Sequence, residues 1–231
     1  MKQSANTRSI CETGVSTTHP SFDVNCRRCP RLADFLDDVR NDHPEYHARP
    51  VEPFGVDDPD LLIVGLAPGM HGANASGRPF TGDFAGILLY KTLFEMGFSN
   101  KPESVSRADG LQLHHCRITN AVKCLPPQNK PLPLEIATCN PYLKNEIASL
   151  KKGAIILALG TIAHTAVLRT QGLKLSAYPF GHGHQHALPT GHWLIDSYHC
   201  SRYNTQTRRL TEPMFKAVFE QARELLKKGY Y

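Results

Sequence analysis

Four short apolar runs, separated by stretches of helical spacing, constrain this chain more than any other feature. The runs at 61–67 (LLIVGLA), 117–123 (RITNAVK), 154–159 (AIILAL) and 193–199 (WLIDSYH) are dominated by aliphatic and β-branched residues, the pattern of strands buried on both faces. Helical spacing at 84–97, 134–151, 161–172 and 212–228 predicts helices between and after them, the last capped by Thr211. Strand and helix thus alternate. Right-handed crossovers then require a parallel sheet covered on both faces, with its site at the carboxyl ends of the strands. The expected fold class is α/β: a three-layer α/β/α domain with a central four-stranded parallel sheet. The chain has 231 residues, enough for one large domain over 26–231, with residues 1–25 expected to be a flexible N-terminal segment.

Composition narrows the function classes. No stretch approaches ~18 uninterrupted apolar residues, and the opening MKQSANTRSI has no apolar core of the kind a signal peptide needs. A soluble cytoplasmic protein with no membrane partner is expected. The formal net charge is +5, with 12 His beside it, a balance that permits a nucleic-acid partner without requiring one.

Seven Cys, an odd number, argue for a reducing compartment and against a disulfide framework. Cys26 and Cys29 form CRRC, a spacing that turns two thiolates onto one ion or cluster, and Cys124 and Cys139 could complete a set of four. Cys11, Cys116 and Cys200 are left as spares. Four thiolates suit structural zinc or an iron–sulfur cluster, and spacing alone does not choose between them. An arginine-rich turn with two incidental thiols is the plain alternative. A thioredoxin-like motif fits less well, because this CxxC precedes any strand and helix that could present it.

Three of the strands carry polar chemistry. The first strand runs into GLAPGMHGANASGRPFTGD (65–83), a loop of Gly and small residues that brings backbone close to a ligand. It is neither a Walker A loop nor a GxGxxG fingerprint. Asn120 is a polar residue in an otherwise apolar strand, suited to reading a base edge or to a structural hydrogen bond. The fourth strand ends in His199, Cys200, Ser201, Arg202, Tyr203 and Asn204, followed by Arg208 and Arg209. GHGHQH at 181–186 invites a metal hypothesis, but its flanking Gly and the lack of a clear carboxylate partner favour a solvated hairpin or loop.

The loop at 65–83, the segment NAVKC and the segment SYHCSRYN together resemble, in order, the signatures of family 5 uracil-DNA glycosylases, the iron–sulfur-containing branch of that superfamily. The match runs from about Cys26 to the last helix. The resemblance implies a [4Fe–4S] cluster on Cys26, Cys29, Cys124 and Cys139, structural rather than catalytic. It further implies a partner, DNA containing uracil or other deaminated bases such as hypoxanthine, and an enzyme that flips the base out and hydrolyses its N-glycosidic bond; a monomer is expected. Related glycosylases often carry Asp or Asn where this chain has Ala67, as is typical of family 5. The resemblance offers Asp83 in its place as the group nearest the attacking water. Asn120 then looks like the base reader, Phe80 like the platform under the flipped base, and His199 like the donor to the departing base oxygen. Gly65, Ala67 and Gly69 would bring backbone to the base, and Ser201 and Arg202 would grip phosphates. Cys200 stands where many relatives have Pro. A plain iron–sulfur electron carrier would not need Asp83, Asn120 and His199; a catalytically silent damage binder is the remaining alternative.

Overall fold

The computed structural model describes residues 22–228. The expected flexible segment therefore lies outside the described residues over 1–21, while its last residues are packed: the Phe22 ring lies 6.2 Å from that of Tyr142, and Asn25 accepts from Arg49 at 3.2 Å.

The elements run α1 (Pro30–Asp42), β1 (Phe54–Gly55), β2 (Leu61–Gly65), α2 (Ala73–Ser76), α3 (Phe84–Glu95), β3 (Cys116–Asn120), α4 (Pro133–Ala148), β4 (Ile155–Leu159), α5 (Thr161–Thr170), β5 (Gln185–Ala187), β6 (Trp193–Ser197), α6 (Arg202–Gln206) and α7 (Glu212–Lys228). Sheet order is β1-β3-β2-β4-β6-β5. The four expected strands form the parallel centre, and β1 and β5 add an antiparallel strand at each edge. Six strands rather than four is a correction to the expectation. At two and three residues, β1 and β5 are too short to carry a period; their neighbours in the sheet make them strands.

Alternation along the central strands divides the core. Leu61, Ile63, Leu157 and Ile195 pack beneath α3 and α7 with Leu89, Leu93, Phe215 and Phe219. On the opposite face Leu62, Val64, Ile156 and Leu194 meet Leu143 and Val167 of α4 and α5, and Leu32 of α1. Three layers result because each strand buries both faces. The Thr211 hydroxyl accepts from the Met214 N–H at 3.4 Å, the cap expected for α7.

The α1 helix was not read from the sequence, although Leu32, Ala33, Leu36 and Val39 mark its buried stripe. Pro30 occupies its first turn, where a missing N–H costs nothing. Arg31 of α1 makes paired 2.8 Å bonds to Glu135 of α4, whose carboxylate also accepts the Leu132 N–H at the helix start. These bonds tie α1 to α4.

The loop after β2 is held from behind by Arg78, which bonds Asp109 at 2.9 Å and Ser104 at 3.0 Å with both ion-pair partners under a tenth exposed. Burial opposes the Asp109 charge, but Arg78 and the N–H groups of Leu111, Val105 and Ser106 hold its carboxyl well below the ordinary carboxylate range. Breaking one partner of a buried pair leaves the other uncompensated. Arg78→Met is expected to destabilise by about 3 kcal/mol, the low end for buried pairs because Asp109 keeps its backbone donors. Urea unfolding measures it, as a lower midpoint at unchanged slope. A loss under about 1 kcal/mol would show that the pair does not hold the loop.

Candidate active site and metal centre

The carboxyl ends of the parallel strands open on a cavity of about 450 Å³ lined by Ala67, Gly69, Phe80, Asp83, Asn120 and His199 among others, with Ser201 and Arg202 also on its wall. Eight of the nine non-cysteine residues singled out from the sequence thus share one pocket. Gly65 does not line it. A Cβ there would lie 2.4 Å from Asn120 Oδ1 and 2.7 Å from Phe80 Cζ, so Gly65 acts by leaving room for those two side chains. An adjoining groove of about 580 Å³ shares Phe80, Asp83, Phe84 and Arg202.

Asp83 precedes α3 in the N-cap position, yet its carboxylate makes no cap bond to that helix. It turns into the loop instead and accepts the Ala73 N–H at 3.0 Å. Gly69 and Gly72 leave the space it occupies, since a Cβ on either would stand within 2.1 Å of Asp83 Oδ1. Burial pushes the carboxyl above its ordinary value, against the hydrogen bonds from Ala73 and Gly69.

Asn120 ends β3 at 3% exposure, and its Oδ1 is buried with no hydrogen-bond partner. An orphaned amide oxygen on a pocket wall is a vacant acceptor. Phe80 is buried with a positive φ of 60°, a conformation a bulky residue adopts only when its surroundings impose it. Its ring lies 6.1 Å from that of His199 at 26°. Burial lowers the His199 imidazole to about 4, so it is neutral at physiological pH and can donate one N–H. Asn204 holds the His199 carbonyl at 2.8 Å. The Ser201 hydroxyl caps α6 by accepting from Asn204 N–H at 3.4 Å, and the Arg202 guanidinium lies 4.9 Å above the Phe84 ring. Cys200 is fully buried in the core, with burial pushing its thiol up to about 12; in the position after His199 it packs as a small apolar residue.

The second feature is a cavity bounded by Cys26, Cys29, Cys124 and Cys139, between α1, the segment after β3, and α4. Cys29 sits at the N-cap of α1, and Cys139 on α4 accepts the Lys123 N–H at 3.3 Å. Burial raises Cys124 and the neighbouring thiolates of Cys139, Cys26 and Cys29 raise it further; burial and Cys139 raise Cys29. Four thiols within electrostatic reach of one another cannot all ionise unless cations accompany them. No three of these sulfurs share the close spacing that brings His164, His186 and Asp196 within 4.8 Å of one another. All six cysteines among the described residues are free.

The uracil DNA glycosylase superfamily model matches residues 52–223, a span that contains the whole lined pocket. The chain belongs to that superfamily. This glycosylase-superfamily chain is 47% identical over 205 residues to the type-5 uracil-DNA glycosylase of Thermus thermophilus, covering 87% of this chain and 93% of that protein. It is 41% identical to the type-5 enzyme of Pyrobaculum aerophilum, over 86% of this chain and 88% of that one, and 43% identical to that of Mycobacterium leprae, over 87% and 91%. Among the described residues, no helix is long and apolar enough to cross a membrane.

Two features of this superfamily member escaped sequence reasoning. Asn129 lines the pocket from a turn in which Gln128 and Asn129 both have positive φ, 55° and 57°. The signal was present in PPQNK, whose Pro and Asn mark a turn, but nothing in it indicated where that turn points. GHGHQH is a correction. His186 belongs to β5 and reaches a carboxylate, Asp196, across the β5–β6 pairing, so the segment does have the acidic partner that seemed lacking.

Proposed function

We propose that this chain excises uracil from DNA, hydrolysing the N-glycosidic bond of an extruded nucleotide to leave an abasic site. The observation that carries the reading is the vacant Asn120 acceptor in one cavity with a buried carboxylate, Asp83, and a neutral imidazole, His199. The relatives, type-5 uracil-DNA glycosylases, agree with it.

The chemistry follows from the charge that develops. Extrusion costs a few kcal/mol, least for mispaired or damaged bases. A flipped base lies against the Phe80 ring, with its imide N–H toward Asn120 Oδ1. Bond cleavage builds positive charge on the sugar and negative charge on the base, as in glycoside hydrolysis. Asp83 stabilises the first and orients water; the His199 N–H stabilises the second. Because position 67 is Ala and contributes no side-chain amide or carboxylate, the pocket is open to other deaminated bases, hypoxanthine among them. Cys26, Cys29, Cys124 and Cys139 are proposed to hold a [4Fe–4S] cluster, supported by four thiols that line one cavity between α1, the segment after β3 and α4. Such a cluster supplies a rigid cross-link between α1, α4 and the segment after β3, and no redox step. The glycosylase domain is proposed to occupy 26–231, and the enzyme to act on DNA in the cytoplasm.

A uracil-containing oligonucleotide, incubated with the purified protein and then treated with alkali, tests the reading. Strand scission at the uracil position is expected. Binding of the oligonucleotide without scission would favour a catalytically silent damage binder instead. Asn120→Ala is expected to reduce discrimination between uracil and cytosine by ~1–3 kcal/mol, the contribution of an amide reading a base edge. The ratio of single-turnover rates on the two bases measures it, and an unchanged ratio would remove Asn120 from base recognition.

A further inference from the structure

We propose a second metal site, for a divalent zinc-type ion, formed by His164 of α5, His186 of β5 and Asp196 of β6. His164 is 3% exposed and Asp196 fully buried. Asp196 Oδ1 stands 2.7 Å from His164 Nδ1, and Asp196 Oδ2 stands 3.4 Å from His186 Nε2. One ligand atom from each of the three lies within 4.8 Å of the others.

Three observations point to a cation here. His164 Nε2 faces the Tyr178 carbonyl at 2.9 Å, which can only accept, so that nitrogen carries the proton. The other nitrogen, Nδ1, then turns a lone pair on a carboxylate oxygen, and two electron pairs at 2.7 Å need positive charge between them. A ring N–H committed to a backbone carbonyl is also the usual arrangement of a metal-bound imidazole. His186 Nε2 is buried and makes no hydrogen bond, with Asp196 Oδ2 3.4 Å away. An extra proton on His164 would answer the first pair and leave His186 orphaned; one ion answers all three groups.

The spacing suits zinc. Nitrogen and oxygen ligands at about 2.0–2.2 Å from a tetrahedral ion stand about 3.4 Å apart, the His186–Asp196 separation, and the His164–Asp196 contact must open by some tenths of an ångström. A site so placed fastens α5 and the β5 edge to β6, the strand that leads into His199. Its role is structural, and it is independent of the cysteine cavity and the catalytic pocket.

The test uses tag-free protein with its iron content intact, dialysed against micromolar Zn²⁺. One zinc per chain beyond the iron is expected, with X-ray absorption at the zinc edge showing nitrogen and oxygen neighbours at about 2.0–2.1 Å and no sulfur at about 2.3 Å. His186→Ala should weaken zinc binding by roughly tenfold or more while leaving iron content and uracil excision unchanged, since outer and inner ligand losses cost at least that. If His186→Ala does not fold, His186→Gln keeps the bulk at the hairpin and is expected to weaken binding likewise. No zinc beyond the iron, zinc bound through sulfur, or zinc retained unchanged by the folded variant would each overturn the proposal.

Discussion

Asp83→Ala is expected to lower the single-turnover excision rate by roughly 10²–10⁴ while DNA affinity stays within about twofold, the range for a positioned acid–base group. The carboxylate is free for this because it does not cap α3; it is held by Ala73 N–H at 3.0 Å in a niche that only Gly69 and Gly72 leave open. Asp83→Asn keeps the shape and one acceptor but not the charge, so it should lose nearly as much rate. The acid limb of the pH–rate profile should also belong to Asp83. Burial raises its pKa above the ordinary 3.8, and the working form is the anion, so the rate falls as pH falls through that raised value. A group whose folded pKa lies above its unfolded one contributes stability at low pH that is lost as pH rises through the folded value. Removing the charge therefore relieves the folded protein at neutral pH, and the Tm of Asp83→Asn should equal or exceed that of the wild type. A folded Asp83→Asn protein with near wild-type rate would take Asp83 out of the chemistry.

Replacing any of Cys26, Cys29, Cys124 or Cys139 by Ser is expected to abolish the brown colour of the purified protein and to lower iron from about four per chain toward zero, the stoichiometry of a [4Fe–4S] centre. Cys139→Ser is the most informative, because Cys139 is buried on α4 and accepts the Lys123 N–H. Without the cluster, Arg31–Glu135 and the packing around Leu32 are what hold α1 to α4 among the described residues. Thermal unfolding should therefore fall by many degrees, and at 37 °C part of the protein should lose the α1 layer. Cys200→Ala, in the core far from the four thiols, should retain its iron. Stoichiometric zinc without iron after anaerobic purification would replace the cluster with a zinc site.

Much of this molecule is legible in one dimension. LLIVG and IILAL could only be strands buried on both faces, since no polar residue interrupts them, and the amphipathic spacing of 212–228 with Thr211 before it could only be a capped surface helix. The α1 stripe of Leu32, Ala33, Leu36 and Val39 is equally present, but it is four apolar positions set among Arg and Asp directly after CRRC, so its period is short and faint. Local sequence also placed Asp83, Asn120 and His199 beside strand ends, because a parallel sheet gathers its carboxyl ends on one side.

Tertiary structure decided everything that depends on distance between segments far apart in the chain. Whether Asp83 caps its own helix or reaches Ala73 depends on how the loop at 66–83 folds back, which Arg78 and Asp109 determine from 31 residues apart. The orphaned state of Asn120 Oδ1 depends on what Gly65 and Phe80 leave around it. The convergence of His164, His186 and Asp196 depends on β5 pairing with β6, a three-residue strand with no signal of its own. Local propensities and hydrophobic period are written residue by residue, so the sequence alone determined which segments are strands and helices. Contacts across the sheet are set by register and packing, so only the folded chain decided which polar groups meet and which are left facing a cavity.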